Sequence, residues 1–531
     1  MTQMSTIQIQ PADELPAAVA VQAAADVPDT TKSGGLRFLQ FVTGIVGAGC
    51  FGVSGWLGTL DLKNIPCCVL IALLPFSLFY RIVMYLPLRT SHLNLPEKQP
   101  WPRSLEGAKV SIIIPAYNEE NIIKETVETA LKSTSASKEN LEVIVVDDQS
   151  KDQTWQIISA IEDDRFLPVC GAVRDSSCDW KGKNWAVWQG FMESTGSVII
   201  VMDGDVLLQP NAIEDLLARF TTKSAEWLTV CCFSDFRNVW EFLLALPCLI
   251  GMNQALLAPE IERGEKTYAY GQLNVFRRET YEKLGGHKRV GAVVAETHML
   301  ATLAKQSKIP MQTTIATSQT KLLWYAGFDD TWQGTLKSVC ARVQKVPACL
   351  RILLVPLPII AAAIQLASWL MPAPLIYFLV TSDERTVHIV GLALAVLQTS
   401  LVFVQRWIGW QYLRYPSRMW WAEPASVCVH CAMQLRAIAS PYAKWKGKVQ
   451  TTPKGKRDPA DVPHADIVRH VQAFRAENKV YQDRMTNGPG RRQLQATASH
   501  LQLQAFAARF ATAPSAEMVV VPVSPAVPNL S

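Results

Sequence analysis

Val198-Ile199-Ile200-Val201-Met202-Asp203-Gly204-Asp205 is a short apolar run that ends in two carboxylates around a glycine. A continuous run of this length is what a strand buried on both faces of a parallel sheet requires. Two stretches upstream share the same build. Residues 110–116 are apolar up to Pro115-Ala116 and give way to Tyr117-Asn118-Glu119-Glu120. Residues 141–146 are followed by Asp147-Asp148-Gln149-Ser150. Between these runs, residues 119–133 place Ile122, Ile123, Val127 and Leu131 on one helical face, and residues 152–161 and 184–192 read as two more helices. Gly196 stands where a helix is expected to stop and Pro210 where the next is expected to start. Alternating strands and helices predict an α/β domain over residues 105–346.

Each strand deposits polar residues at its carboxyl end, and in an open α/β sheet that edge is where ligands bind. The Asp203-Gly204-Asp205 turn has the chemistry to hold a divalent cation, Mn2+ or Mg2+, which would neutralise a departing nucleoside diphosphate. The plainer alternative is an acidic loop. Asp147 and Asp148 are placed to accept from a nucleobase or ribose, or else to cap the next helix, a role for which Asp152 competes. Lys181-Gly182-Lys183-Asn184 opens a helix, where backbone amides and Lys183 would hold a phosphate; a simple basic loop is the competing reading.

Working outward, residues 1–34 are rich in Ala, Pro, Gln and Asp and read as a disordered tail without the apolar core of a cleaved signal. Residues 35–90 hold two apolar segments, 39–60 and 66–88, each close to the length that spans a bilayer. Residues 350–412 hold two more, 352–380 and 387–410. Residues 413–450 include an amphipathic, Trp-rich stretch, 419–438, expected on the membrane surface or as a fifth span. Residues 451–531 read as a mostly disordered basic and polar tail. A hydrophobic fraction of 49% over 531 residues and a mean hydropathy of +0.11 fit a polar domain flanked by a few spans. Lys32, Arg37, Arg89 and the lysines after residue 443 place the α/β domain on the cytoplasmic side. A net charge of only +5, without basic runs interleaved with aromatics, excludes nucleic acid. The 12 cysteines show no disulfide framework and read as reduced thiols. Cys428 and Cys431, with His430 between them, lack the second pair that a zinc site needs.

Pro115-Ala116-Tyr117-Asn118-Glu119, Asp147-Asp148-Gln149-Ser150, Gly182-Lys183-Asn184-Trp185-Ala186 and Asp203-Gly204-Asp205 resemble, in order, the motifs of family-2 glycosyltransferases. Gly271-Gln272, Phe276-Arg277-Arg278 and Gly285-Gly286-His287 continue the likeness. With its flanking apolar segments the chain is similar to the membrane-bound hopanoid-associated, carotenoid and ceramide branch. The resemblance implies a glycosyltransferase A (Rossmann-like) domain, a nucleotide-sugar donor such as a UDP-hexose, and inversion at the anomeric carbon. It also implies roles: Pro115, Ala116 and Glu119 lining the nucleotide pocket, Asp148 on uridine, Lys183 on the diphosphate, Asp203 and Asp205 on the metal and on ribose or phosphate, and Gln272 in substrate binding.

An inverting transfer needs a base for the acceptor hydroxyl. The family places Glu-Asp at a helix start; here the sequence is Ala295-Glu296-Thr297-His298. Thr297 replaces the usual acid, so Glu296 becomes the expected base, with His298 as the alternative and helix capping as the non-catalytic reading of Glu296. The Gln-x-x-Arg-Trp motif of processive members is absent, which points to a single transfer. Trp324 and Trp332 either wall the acceptor or pack at the interface. Residues 239–257 form either a core helix or, as the expectation favoured here, one that dips into the bilayer and guides a lipid. The expected function is therefore transfer of a hexose from a nucleoside-diphosphate sugar to a carotenoid, hopanoid or sphingolipid-type hydroxyl. The alternative is a catalytically impaired nucleotide-sugar sensor or scaffold.

Overall fold

A computed structural model describes residues 95–222, 225–236, 269–323, 328–343, 346–370, 423–441 and 456–478, with a few positions between these stretches. The strands are β1 (Val110–Ala116), β2 (Leu141–Asp147), β3 (Phe166–Cys170), β4 (Val198–Met202), β5 (Val206–Leu208), β6 (Trp227–Cys232), β7 (Ser234–Asp235), β8 (Leu273–Arg277), β9 (Met311–Ala316) and β10 (Thr320–Leu323), with a short antiparallel pair, Lys444–Trp445 and Lys448–Val449, apart from them. The helices are α1 (Ile123–Lys132), α2 (Thr154–Ser159), α3 (Gly182–Glu193), α4 (Ala212–Thr221), α5 (Arg278–Lys283), α6 (Gly286–Arg289), α7 (Glu296–Gln306), α8 (Phe328–Val343), α9 (Pro356–Leu370), α10 (Glu423–Ala439) and α11 (His464–Glu477).

Seven strands form one mixed sheet in the order β3-β2-β1-β4-β8-β6-β9. β3, β2, β1 and β4 run parallel. β8 is antiparallel to both β4 and β6, and β9 is parallel to β6. The expected α/β class is thus realised. The chain goes outward from β1 to β2 and β3 and then returns to place β4 on the other side of β1. That reversal opens a crevice at the carboxyl ends of β1 and β4. The apolar run 198–202 that opened the sequence reading is β4, buried at every position.

Two apolar layers cover the sheet. On one face α1 and α4 pack Ile123, Val127, Leu131, Leu216, Leu217 and Phe220 against β1, β2 and β4. On the other, Trp185, Trp188 and Phe191 of α3 join Tyr281, Leu300 and a set of residues from α11. α3 is buried on nearly all sides, which explains why its sequence is apolar around the whole circumference. Gly196 lies past the end of α3, and its role differs from a helix stop. A Cβ there would sit 2.5 Å from the Lys109 carbonyl and 2.6 Å from Ser111 Oγ, so the glycine permits close approach to β1.

Two expectations require correction. The tail expected to be mostly disordered from residue 451 is folded over residues 456–478. There Val462, Ile467, Val468 and Val471 bury themselves against the α3 tryptophans, each contributing about 1.5–3 kcal/mol. Leu244, expected to face lipid, is 1% exposed and packs against Leu336 and Val339 of α8 and Met433 and Ala437 of α10; most of residues 239–257 lies outside the described residues. The expected spans at 39–60, 66–88 and 387–410 also lie outside them, apart from isolated positions in the last. Of 352–380, the structure describes a 3-10 turn, Ala348–Leu354, and α9. Among the described residues no helix is long and apolar enough to cross a membrane. The stretch 419–438 falls largely in α10, which packs on α8 and α9.

Candidate active site

The loops after β1 and β2 are tied to each other before they meet anything else. Asn118 N donates to Ser150 Oγ (2.9 Å), and Lys151 N donates to Asn118 Oδ1 (2.9 Å). Glu119 N donates to Thr154 Oγ1 (2.8 Å) and Gln153 N to Glu120 Oε2 (3.0 Å). Asn118 and Gln149 adopt φ of 53° and 63°, which turns both loops sharply off their strands. Asp152 Oδ1 accepts from Thr154 N at 3.0 Å from one residue before the N-cap of α2, which is Gln153.

The Asp203-Gly204-Asp205 turn is fixed from three sides. Thr126 Oγ1 donates to the Gly204 carbonyl (2.7 Å), Leu323 N to the Asp205 carbonyl (3.0 Å), and Asp203 N to the Gln272 carbonyl (2.9 Å). Gln272 also accepts from Cys232 N through Oε1 at 3.2 Å, so its side chain braces β6. Pro115 and Glu119 line the opposite wall. A Cβ on Gly204 would lie 3.5 Å from the Pro115 carbonyl and 3.7 Å from Glu119 Cγ. Ala116 is buried, and its carbonyl accepts from Asp148 N at 2.8 Å.

Lys183 is the hub. Its Nζ lies 2.7 Å from Asp203 Oδ1 and 3.0 Å from Glu296 Oε1, and it donates to the Gly271 carbonyl at 3.0 Å. Burial works to deprotonate this amine, but the two carboxylates outweigh it and hold the ammonium. Burial likewise works to raise the Glu296 carboxyl; Lys183 beside it more than reverses this and holds it below the usual carboxylate range. Thr297 Oγ1 adds a hydrogen bond to Glu296 Oε1 at 3.2 Å.

Asp205 behaves differently. Its Oδ1 is sealed from solvent and has no hydrogen-bond partner among the described residues. Burial, then the nearby charges of Asp203 and Glu119, push its carboxyl up to about 7. An acceptor oxygen left in that condition is costly unless something binds it. Among the described residues no group of three His, Cys, Asp or Glu side chains is arranged to hold a metal unaided. A hard cation that draws its other ligands from a diphosphate and water needs only one or two carboxylates, and Asp203 and Asp205 fit that requirement.

The remaining sequence candidates fall as follows. Asp148 is buried beside the start of α3, where a Cβ on Gly182 would lie 2.5 Å from its Oδ2; a carboxylate already faces the helix end read as a phosphate site. Asp147 turns back into its own loop, accepting from Ser150 N at 3.3 Å. His298 is exposed on α7, while the buried His287 bonds Tyr281 Oη through Nδ1 at 2.7 Å and is kept neutral by burial, its pKa lowered to about 4. Sequence reasoning missed Lys337 on α8. Burial and Lys183 hold its amine below the ordinary lysine range, against the pull of Glu296, Asp203 and Asp205. The signal for it was one lysine in the apolar half of an amphipathic helix, too slight to single out.

Residues 111–285 match the Glycosyl transferase family 2 profile. The chain carries a glycosyltransferase family 2 domain. Curated relatives agree. A probable glycosyltransferase, YdaM, of Bacillus subtilis (strain 168) is 36% identical over 117 residues, which are 22% of this chain and 27% of that protein. A 4,4'-diaponeurosporenoate glycosyltransferase of Staphylococcus haemolyticus is 26% identical over 208 residues, 38% of this chain and 53% of that one. A dolichol-phosphate mannosyltransferase of Pyrococcus furiosus is 35% identical over 112 residues, 20% and 29% of the two chains. The chain thus spans roughly a quarter to a half of these relatives' lengths. Among solved structures, the mannosyltransferase PcManGT of Pyrobaculum calidifontis, in complex with GDP-Man and Mn2+, aligns with 75% of this chain and 99% of its own. The identity is 17% and the TM-score 0.37, too loose to add to the strand order described above. The family-2 domain is the part of the chain that contributes Lys183, Asp203 and Asp205, whereas Glu296 and Lys337 lie beyond the matched residues.

Proposed function

We propose that this glycosyltransferase A-type domain transfers one hexose, with inversion, from a nucleoside-diphosphate sugar such as a UDP-hexose to the hydroxyl of a membrane lipid-like acceptor. The observation that carries the reading is the Asp205 oxygen left without a partner beside the Lys183–Asp203–Glu296 cluster, at the sheet's switch point. Asp203 and Asp205 would hold Mn2+ or Mg2+, which supplies charge neutralisation at the diphosphate. Pro115, Ala116, Glu119 and Asp148 line the nucleotide side of the crevice.

Lys183 is shared between Asp203 and the base in the donor-free protein. An arriving diphosphate competes for the ammonium, and Glu296 loses the partner that suppresses its basicity. Glu296 then accepts the acceptor's hydroxyl proton as the new C–O bond forms, while the anomeric carbon–oxygen bond to the diphosphate breaks and that oxygen keeps the electron pair. Lys337 adds positive charge to the same wall.

Leu350, Ile352, Leu353, Leu357, Ile359 and Ile360 are all exposed along the 3-10 turn and α9, and so many exposed apolar side chains call for lipid or protein. The names of the relatives, with diaponeurosporenoate and dolichol phosphate among their substrates, support the lipid choice. A cytoplasmic catalytic face on a multi-pass protein follows from the distribution of basic residues.

The test is lipid extraction after expression with labelled nucleotide sugars. Labelled lipid from wild type and none from Asp205→Ala is the expected result. Undiminished labelling by Asp205→Ala refutes the metal assignment. Donor binding without any labelled lipid would instead favour the sensor or scaffold that Thr297 allows.

A further inference from the structure

Lys183 and Glu296 come from different parts of the chain, yet their 3.0 Å contact is the core of the site. Two backbone segments set it: residues 177–181, which lead into α3, and residues 290–293, which lead into α7. They are fastened together directly. Lys181 N donates to the Gly291 carbonyl at 2.8 Å. Asn184, next to Lys183, directs its Nδ2 to the carbonyls of Val290 (2.8 Å), Gly291 (3.1 Å) and Val293 (2.9 Å). The second fastening comes from the folded C-terminal stretch. Arg457 pairs with Cys178 as a parallel bridge, accepting from Asp179 N (3.0 Å) and donating to the Ser177 carbonyl (2.9 Å). Pro459 closes on Gly291 so tightly that a Cβ there would lie 2.7 Å from Pro459 Cβ and 2.9 Å from Trp180 Cε3. Lys288 Nζ donates to the Ala460 carbonyl at 3.0 Å. At its far end the stretch is anchored by the buried ion pair of Arg475 with Glu193, the last residue of α3.

We propose that residues 456–478 form a positioning clamp that sets the Lys183–Glu296 contact by bracing Gly291 and the backbone at residues 177–179. The inference rests on the reading of Lys183 and Glu296 as donor and base machinery, but the clamp itself is a claim about geometry. Packing alone would be served by any contact on the outer face of α3. Here the first residues of the clamp instead bond to residues 177–179 and pack on Gly291, one contact on each segment that delivers the pair.

Gly291→Ala in the full chain tests this, with Gly291→Ala/Pro459→Gly as the compensating double variant. A misplacement of about 1 Å costs roughly a hundredfold in rate. Gly291→Ala is therefore expected to lower kcat between about tenfold and a hundredfold, with the donor KM within about twofold and native circular dichroism. The double variant relieves the Pro459 clash but not the 2.9 Å approach to Trp180 Cε3, and is expected to regain part of the rate. A wild-type kcat for Gly291→Ala overturns the proposal, as does a double variant no faster than Gly291→Ala although both proteins fold. Should wild type turn over no nucleotide sugar, the transferase reading fails and amide exchange decides the clamp. The Lys181 amide is expected to exchange faster in Gly291→Ala and to recover in the double variant; unchanged exchange overturns it. Should Gly291→Ala not fold, Lys288→Met removes the Ala460 hydrogen bond and the positive charge near Asp458 and Asp461 while leaving the Gly291 packing in place. The same signs at smaller size support the clamp, and none at all overturns it.

Discussion

Glu142 and Asp205 both have carboxyl oxygens shut away from water beside the same sheet, at opposite edges. Glu142 sits at the start of β2. It accepts from Ser111 Oγ (2.6 Å), Thr195 N (2.6 Å) and Thr195 Oγ1 (2.9 Å), and pairs with Lys109 at 2.6 Å. Burial works to raise it, yet these partners hold its carboxyl below the ordinary value. Asp205 sits past β4 with Oδ1 unpartnered among the described residues and its carboxyl pushed up to about 7. The first group is complete and serves the scaffold; the second is incomplete until a ligand arrives. Between these two carboxylates, satisfaction of the acceptor, more than burial or charge, is what differs.

The contrast can be broken most forcefully by exchange of function. Asp205→Ala should leave no detectable product in the labelled-lipid assay while thermal unfolding shows the fold intact or slightly more stable, because a strained acceptor has gone. Glu296→Gln should retain donor binding, read by calorimetry, and lose about 10²–10⁴-fold in kcat, the usual worth of a general base. Glu142→Ala should do the reverse of Asp205→Ala. Removing this carboxylate leaves Ser111 and Thr195 without their buried acceptor and should cost about 1–3 kcal/mol, visible in denaturant unfolding, with kcat per folded molecule retained.

Acidity sharpens the same comparison. The folded Asp205 keeps its proton to about pH 7, whereas an unfolded aspartate gives it up near pH ~4. Between those values the folded state binds more protons, so this group makes the metal-free protein lose stability as pH rises across the window. Glu142 has the opposite sign: its contribution is present above the ordinary carboxylate value and disappears as pH falls through its lowered one. Because a cation must displace the Asp205 proton, Mn2+ affinity measured by calorimetry should rise about tenfold per pH unit below neutrality and flatten above it. An affinity independent of pH would remove Asp205 from the ligand set. The smallest effect belongs to Glu128, an exposed carboxylate 2.9 Å from Lys132. Glu128→Ala should change stability by no more than about 0.5 kcal/mol, since a partner matters little where water already serves.

The sheet was legible because its strands are buried on both faces. β1, β2 and β4 fall within one residue of the mostly apolar runs at 110–116, 141–146 and 198–202. The convergence of Asp203, Lys183 and Glu296 was legible from motif order. Their mutual pairing was not, because a salt bridge depends on side-chain reach rather than spacing. The helix over residues 152–161 shortened to α2, Thr154–Ser159, because Asp152 spends its carboxylate on the Thr154 and Glu120 amides ahead of the first turn. α11 escaped notice because its apolar residues lie among Asp, Arg and His, and they acquire meaning only against Trp180, Trp185 and Trp188, nearly 300 positions earlier.

That distance bears on how the molecule is made. The residues that match the family profile end at 285, but the tryptophan face they contain is roofed by side chains as late as Val471. A nascent chain must therefore carry three indoles on a bare surface until translation has passed the apolar segments and the returning helix has left the ribosome. Excised fragments that stop at the domain's apparent boundary would inherit that bare surface permanently, and aggregation of such fragments would reflect a missing roof rather than an unstable sheet.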